Sequence, residues 1–240
     1  GRGSPAAGSP WQMSGRLGQD RLSAASADFA LDLSLQATRD EPVLHDRDGW
    51  VDFGPAGGSY YYSWPRMEAT GNVTVDGARL TVEGTAWFDH QWGDFIAVGA
   101  GGWDWFAVNL DDGTDLTISQ VRDAGGEYPL AYGTVVLPDG EVRHLEREDL
   151  SVDVSGTWTS DRTGATYPAG WRIELPAEQL VIELTPTVAD QELDTRPTTG
   201  VVYWEGSQVV RATRAGDPVG GEAYVELTGY ADSAGVIRSP

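Results

Sequence analysis

Residues 68–84 read EATGNVTVDGARLTVEG, two short runs rich in Val and Thr on either side of Asp76-Gly77. Alternation of apolar and polar residues is typical of strands that bury one face. Asp-Gly suits the centre of a tight hairpin turn, where both residues need a positive φ. The stretch therefore predicts a β-hairpin, and similar alternation recurs in residues 28–35, 180–184 and 224–227.

This alternation predicts an all-β protein. The 240 residues include 31 Gly, 10 Trp and 9 Tyr, and hardly any window shows the 3.6-residue apolar period of a helix. Up-and-down hairpins of this length close into barrels, and no sequence repeat indicates a propeller or solenoid. We expect an almost wholly antiparallel fold. Residues 29, 31, 33 and 35 are expected to face the core, and residues 39–58 to form a loop.

Charge excludes several classes of function. The formal net charge is −21, and all sixteen cationic residues are arginine. A chain without a basic patch is a poor partner for nucleic acid or anionic membrane surfaces. The absence of lysine excludes Schiff-base chemistry and a Walker-type phosphate site. The expected ligand is therefore a hydrophobic small molecule without phosphate.

Cofactor and metal chemistry find little support. There is no cysteine, and His45, His90 and His144 are far apart in the sequence, without the spacing of a zinc site. We expect neither a metal nor a cofactor. No apolar run approaches the roughly 18 residues of a membrane span, so no transmembrane segment is expected.

The stretch WFDHQWG at residues 87–93 places a carboxylate, an imidazole and two indoles close together. In a strand, Asp89 is expected on one face and His90, between Phe88 and Trp92, on the other. An imidazole on an aromatic wall is suited to proton transfer, because desolvation moves its pKa. The alternative is a strand end whose indoles are core and whose polar groups bond to nearby backbone.

Other aromatic stretches have the same two interpretations. Trp103-Asp104-Trp105 is either a site or a barrel strand with both indoles in the core. Of the residues 60–62, all tyrosine, at least one is expected to line a cavity. Glu205 is expected at a strand end, solvated or paired with an arginine, and Glu226 and Tyr230 are expected as edge and closure residues.

Six motifs, taken together, resemble a known family. They are, in this order, YYYSWPRMEATGNVTVDGARLTVEGTAWFDHQWGDF, GWDWFAVNLDDG, YPAGW, DQEL, YWEG and YVELTGY, and the resemblance extends from about residue 11 to residue 230. The set is similar to the carotenoid 1,2-hydratase and AttH-type lipocalin-like family, which includes hydroxyneurosporene synthase and has relatives among kievitone hydratases and natural-product Diels-Alderases.

The resemblance implies two lipocalin-like (calycin) antiparallel β-barrel or sandwich domains. Residues 1–10, rich in Gly, Ser, Pro and Ala, are expected to be a linker or leader remnant. Residues 11–96 then correspond to the C-terminal part of the first domain and residues 97–240 to the second, with a glycine-rich joint at residues 99–102. Family members usually begin with a further stretch. We therefore expect a missing N-terminal segment of the same protein, or a second chain, beside this one.

For the chemistry, the resemblance implies an apolar pocket and acid-base attack on an alkene. Asp89 or Asp104 would be the acid, and His90 would position water or relay a proton. Indoles would stabilise a carbocation. The candidate substrate-binding residues are Tyr60, Tyr62, Trp64, Trp87, Trp92, Trp103, Trp105 and Tyr203.

Three functions remain open at this point. The first is a cofactor-independent enzyme that hydrates, isomerises or cyclises a polyene or terpenoid-like substrate. The second is a lipocalin-style binder of such a ligand. The third is a hydrolase, although Ser63, Ser119 and Ser207 lack the Gly-x-Ser-x-Gly elbow.

Overall fold

A computed structural model describes residues 11–54, 57–94 and 101–231. Within these ranges the chain is built almost entirely from antiparallel strands, which confirms the predicted all-β class. The predicted linker at residues 1–10 lies outside the described residues. So do residues 99 and 100 of the predicted glycine-rich joint.

The first sheet has seven strands in the order β1-β2-β3-β6-β4, and β5 and β7 also pair with β6. They are β1 (Gln12–Arg16), β2 (Gln19–Ala25), β3 (Phe29–Ala37), β4 (Val43–Leu44), β5 (Trp50–Asp52), β6 (Gly58–Val75) and β7 (Ala78–Asp94).

The predicted hairpin joins the two longest strands of this sheet. Asp76 and Gly77 have φ values of 49° and 77°, as a two-residue type I′ turn requires. Strand β7 continues without a break into the WFDHQWG stretch. Because the turn joins β6 to β7, it helps to set which residues of β6 lie beside this stretch.

The remaining strands are β8 (Gly102–Leu110), β9 (Asp115–Arg122), β10 (Leu130–Val136), β11 (Val142–Leu145), β12 (Ser151–Val154), β13 (Thr157–Thr159), β14 (Thr166–Pro168), β15 (Trp171–Leu175), β16 (Leu180–Pro186), β17 (Glu192–Asp194), β18 (Val202–Arg214), β19 (Asp217–Val219) and β20 (Gly221–Thr228). Short 3-10 helices occupy Arg147–Asp149 and Pro176–Glu178. In the described ranges no helix has the length and apolar character needed to cross a membrane.

Eleven of these strands form a second sheet in the order β11-β10-β9-β8-β20-β18-β16-β15-β12, with β17 and β19 added on β18. Strands β13 and β14 pair separately. The two ends of this path pack on one core, since Leu145 from β11 and Val152 from β12 both contact it. The sheet is therefore curled around its apolar interior, as a lipocalin-like fold requires.

Aromatic side chains fill the centre of this core. The ring of Trp171 lies 5.6 Å from that of Phe106 and 5.9 Å from that of Trp204, and all three side chains are fully buried. Burying such rings contributes several kcal/mol each, because truncating a core aromatic to Ala costs about 3–5 kcal/mol. Trp171 and Trp204 therefore belong to the core.

The described chain forms two compact units that interleave in sequence. The first contains the residues up to Leu44 together with Tyr62–His90, and the second contains His45–Tyr61 and the residues from Gln91 onward. Segment His45–Tyr61 thus belongs to the second unit, although strands of the first unit flank it in sequence. The division at residues 96 and 97 stays a prediction.

Some local expectations were wrong. Phe29 is 40% exposed, because it pairs with Val75, itself exposed, beside the Asp76-Gly77 turn. The expected loop at residues 39–58 contains the short strands β4 and β5. Two strands expected at residues 201–204 and 208–213 form the single strand β18, since all of it pairs with neighbours.

The turn generates a stability prediction. Gly77→Ala should lower the free energy of unfolding by about 1 kcal/mol, because an added Cβ meets open space and only the positive φ is costly. Gly84→Ala in strand β7 is the matched control, since its added Cβ also meets open space and no positive φ is required. Equal effects in urea denaturation would contradict this assignment of the turn.

Candidate functional site

Asp89 lies on one face of strand β7, as the alternation predicts. Its Oδ1 accepts a hydrogen bond from Ser63 Oγ on strand β6 and another from Trp87 Nε1 at 3.0 Å. Trp87 is two residues away and therefore shares the face of Asp89. The side chain of Asp89 is half-buried.

His90 lies on the opposite face, against Tyr62 and Phe88. Its Nδ1 is 3.3 Å from Tyr62 Oη, and its ring centroid is 5.5 Å from that of Tyr62 and 6.2 Å from that of Phe88. Of the two expected aromatic neighbours, Phe88 therefore contacts His90, and Tyr62 is a further one. The expected burial is not present, because His90 is exposed.

Tyr60 and Trp92 share one environment, and Trp64 occupies another. The rings of Tyr60 and Trp92 stack at 5.4 Å, and both side chains are about half exposed, at 49% and 45%. Trp64 is 3% exposed and packs with Leu35 and Met67. Its place in the core of the first unit favours a packing role.

Asp104 is the centre of a buried polar cluster in the second unit. Tyr128 Oη donates to its Oδ2 at 2.6 Å, and Tyr230 Oη lies 3.0 Å from both carboxylate oxygens. Arg122 approaches Oδ1 to 3.9 Å and covers the ring of Tyr230 at 3.8 Å. Burial raises the pKa of Asp104, against the opposing effects of both tyrosines and Arg122.

This cluster connects the end of the described chain to the start of strand β8. Arg122 also donates hydrogen bonds to the backbone carbonyls of Gly101 and Thr228, each at 2.6 Å. Tyr230 therefore acts as the closure residue that the sequence indicates, and Asp104 is the acceptor that holds it. Both carboxylate oxygens are already engaged, which favours a structural role for Asp104.

Trp103 and Trp105 lie on the other face of strand β8 from Asp104, because strand side chains alternate. Trp103 Nε1 donates to Glu226 Oε1 at 2.8 Å, and Trp105 Nε1 donates to Tyr61 Oη at 2.9 Å. Asp104 and these two indoles therefore do not line one common site.

The register brings further residues to the face of Trp103 and Trp105. Trp105 is opposite Glu226 of strand β20, and Glu226 is opposite Glu205 of strand β18. We call this surface the acidic aromatic face; its residues are Trp103, Trp105, Tyr203, Glu205, Tyr224 and Glu226. The structure thus assembles three predicted binding residues with two glutamates and one tyrosine that were assigned no role in a site.

Glu205 differs from expectation. It lies within strand β18 rather than at a strand end, and it is half-buried. Burial raises the pKa of its carboxyl group. Burial and the negative charges of Glu205 and Glu226 raise the pKa of Tyr224 to about 12 and also raise that of Tyr203.

A local signal for these glutamates was present. In the motifs YWEG and YVEL, a tyrosine precedes a glutamate by two residues, which places both on one strand face. The two motifs are 21 residues apart in the sequence, and pairing of strands β18 and β20 brings them together. Neither motif alone predicts this pairing.

Metal-binding geometry is absent from the part of the chain that the structure describes, where no three His, Asp or Glu side chains form a group that could hold an ion. His45 is fully buried, with its Nδ1 3.1 Å from Thr134 Oγ1 and its ring 4.0 Å from that of Tyr61. His144 accepts a hydrogen bond from the backbone N–H of Arg47.

The fold and motifs agree with the comparison to known proteins. A family model described as AttH-like matches residues 6–230. The chain belongs to this family. The match confirms the family resemblance that the six motifs predicted.

Three of the known proteins that resemble this chain illustrate the degree of similarity. A putative AttH structure from Nitrosomonas europaea is 34% identical, with a TM-score of 0.82, over 92% of this chain and 68% of that one. Kievitone hydratase from Nectria haematococca is 22% identical, with a TM-score of 0.74, over 88% and 65%. Dehydratase asqC from Emericella nidulans is 24% identical over 179 residues, 71% of this chain. The chain spans half the length of that dehydratase.

His45 generates a pH prediction. Burial, with a smaller effect of His144, lowers the pKa of His45 from 6.5 to about 3. Between pH 3 and 6.5 the unfolded state binds the extra proton, so this contribution is complete above pH 6.5 and is lost as pH falls. The unfolding free energy should fall by about 1.4 kcal/mol per pH unit from this residue. His45→Gln should flatten the profile, and His90→Gln, at an exposed site, should not.

Asp104 generates a second prediction. Asp104→Asn should lower the unfolding free energy by about 1–3 kcal/mol, because an amide cannot accept all the hydrogen bonds that the carboxylate accepts. Asp153→Asn, at an exposed position in strand β12, should change it by less than about 0.5 kcal/mol. A large loss of turnover in Asp104→Asn at unchanged stability would instead place Asp104 in the chemistry.

Proposed function

We propose that this protein is a cofactor-independent enzyme that performs acid-base chemistry on a hydrophobic polyene or terpenoid-like molecule. Hydration or dehydration is the favoured reaction, and isomerisation or cyclisation are the related outcomes of the same proton transfer. The observation that carries the proposal is the pair Asp89 and His90 on strand β7, with the Tyr62 hydroxyl beside the imidazole. The names of two relatives, a dehydratase and a hydratase, support the reaction class.

The pair has the parts that such a reaction needs. Alkene hydration requires a proton on carbon, a shielded cation and a guided water. His90 is accessible and can exchange a proton with Tyr62 or with solvent. Asp89 is held by Ser63 and Trp87 and, through its charge, favours positive charge nearby. In this proposal His90 moves the proton on its own face of strand β7, and Asp89 contributes its negative charge from the opposite face, where Ser63 and Trp87 hold it.

The ligand class follows from composition. Ten tryptophans and nine tyrosines in a lysine-free chain of net charge −21 favour apolar, uncharged or cationic groups over phosphates. Exposed aromatic pairs such as Tyr60 and Trp92 add surface on which conjugated molecules can stack.

The second candidate is a binder that carries the same ligand without converting it. The contacts of Asp104 favour the binder. Its carboxylate oxygens already accept hydrogen bonds from Tyr128 and Tyr230, so Asp104 is not placed to give a proton to a ligand. Hydrolysis is less well supported. Ser63 contacts Asp89 directly, and His90 projects from the opposite face of the strand rather than between them.

The experiment measures turnover of a carotenoid, polyene and terpenoid panel. His90→Ala should reduce turnover by about 10²- to 10⁴-fold at an unchanged melting temperature, because the side chain is exposed. Asp89→Asn should reduce turnover and also lower the unfolding free energy by about 1 kcal/mol, since it loses part of an accepted hydrogen bond. Glu83→Gln, exposed on the same strand, is the control and should change neither.

Two results would contradict the proposal. Polyene binding without conversion would establish the binder, and His90→Ala would then leave ligand affinity and stability as they were. Tight nucleotide binding with no polyene binding would exclude the proposed ligand class altogether.

A further inference from the structure

One side of the sheet in the first unit is apolar across several strands. The register places Met13 of strand β1 opposite Leu22 of strand β2, and Leu22 opposite Leu33 of strand β3. Two residues before Leu33, on the same side of β3, Leu31 is opposite Val73 of strand β6. The apolar side chains of four neighbouring strands therefore lie next to one another.

Strand β7 extends this side toward the candidate site. Thr81 Oγ1 lies 3.4 Å from Asn72 Oδ1 on the polar side of the hairpin, so Leu80 lies on the apolar side. Further along β7, Phe88 contacts the small core of the unit, and His90 follows on the same side. Leu80 and His90 are separated by about 33 Å along the strand, at about 3.3 Å per residue. We call this side the apolar sheet face; its residues are Met13, Leu22, Leu31, Leu33, Val73 and Leu80.

The described residues leave most of the apolar sheet face uncovered. The buried core of this unit consists of Leu35, Trp64 and Met67. By contrast, Leu80 is 54% exposed and Met13 is 44% exposed, and the other four residues of the face are only partly buried. Single exposed apolar side chains are normal, whereas a contiguous apolar surface indicates a binding site.

Asp20 is the one carboxyl group among the described side chains of this side of the sheet. It is opposite Leu35 of strand β3 and Gly15 of strand β1. A Cβ atom on Gly15 would overlap Asp20 Oδ1, so the carboxyl group occupies space that the glycine leaves. Burial raises the pKa of Asp20, and no described residue forms a hydrogen bond or ion pair with its side chain.

This carboxyl group indicates what kind of molecule covers the face. An apolar protein surface would bury the carboxyl group of Asp20 without a partner, which is costly. A second copy of the chain would bring another formal charge of −21, and repulsion would oppose the contact. A small molecule with a long apolar body and one cationic or hydroxyl group would satisfy both the face and Asp20.

We propose that the apolar sheet face binds an elongated hydrophobic molecule and that Asp20 pairs with a cationic or hydroxyl group of this ligand. The class of molecule rests on the proposed function. To that function the proposal adds a binding surface and a residue that recognises a polar group. A ligand that lies along strand β7 contacts the side of the sheet on which His90 lies.

Three fluorescent polyenes test the face without any turnover: diphenylhexatriene, its trimethylammonium derivative and its propionic acid derivative. All three should bind to the wild type. Asp20→Asn should weaken binding of the cationic probe about fivefold, strengthen binding of the anionic probe and leave that of the neutral probe unchanged. Glu68→Gln, an exposed change on the opposite side of the same sheet, should alter each affinity less than about twofold and so controls for net charge.

The apolar contact has its own pair of variants. Leu80→Ser should weaken binding of all three probes about threefold or more, because it removes apolar surface from the face. Thr81→Ser, at the next residue and on the opposite side, should not. Both positions are exposed, so both variants should fold. If Asp20→Asn does not fold, Asp20→Leu gives the same comparison between the charged probes.

Absence of probe binding, or equal effects of Asp20→Asn and Glu68→Gln, would overturn this proposal. A dimer in analytical ultracentrifugation that Leu80→Ser dissociates would also overturn it, since a second copy would then cover the face. Probe binding that depends on Asp20 and Leu80 would support it even if no polyene is converted. Absence of turnover would contradict the proposed function alone, which separates the two failures.

Discussion

Strict alternation of side chains along strands β8, β18 and β20 is the constraint on which the rest of the second unit depends. One face of these strands supplies Phe106, Trp204 and Val225 to the core. The other face is thereby left with polar and aromatic side chains, including Trp105, Glu205 and their neighbours. A shift of register by one residue would exchange the two faces and place carboxylates inside the core.

The buried and half-buried carboxyl groups of the second unit have two kinds of environment. Glu192 accepts hydrogen bonds from Ser160, Thr163, Tyr167 and Arg162, and its environment lowers the pKa of its carboxyl group. Such a saturated carboxylate holds loops together and has no lone pair left for a ligand. Asp104 follows the same principle with two tyrosines and an arginine.

Glu205 belongs to the second type. Burial raises the pKa of its carboxyl group, and Glu226 stands opposite it in the register of strands β18 and β20. The second unit therefore contains Glu192 and Glu205, whose environments shift the pKa values of their carboxyl groups in opposite directions.

The sequence determined the class of fold, the Asp76-Gly77 turn and the family, because each depends on local periodicity or on motifs in order along the chain. It also placed Asp89 and His90 on opposite faces of one strand. Two predictions from the sequence were wrong: a loop throughout residues 39–58, and a place for Glu205 at the end of a strand. Strand boundaries depend on pairing partners that are distant in the sequence.

Only tertiary structure decided which candidates belong together. Alternation alone could separate Asp104 from Trp103 and Trp105, but the hydrogen bonds of Tyr128 and Tyr230 assigned it to a buried cluster. Exposure of His90 and burial of Trp64 depend on what packs against each strand. The pairing of Glu205 with Glu226 comes from sheet register, a long-range property that the energies of many strand contacts set together and that no single motif encodes.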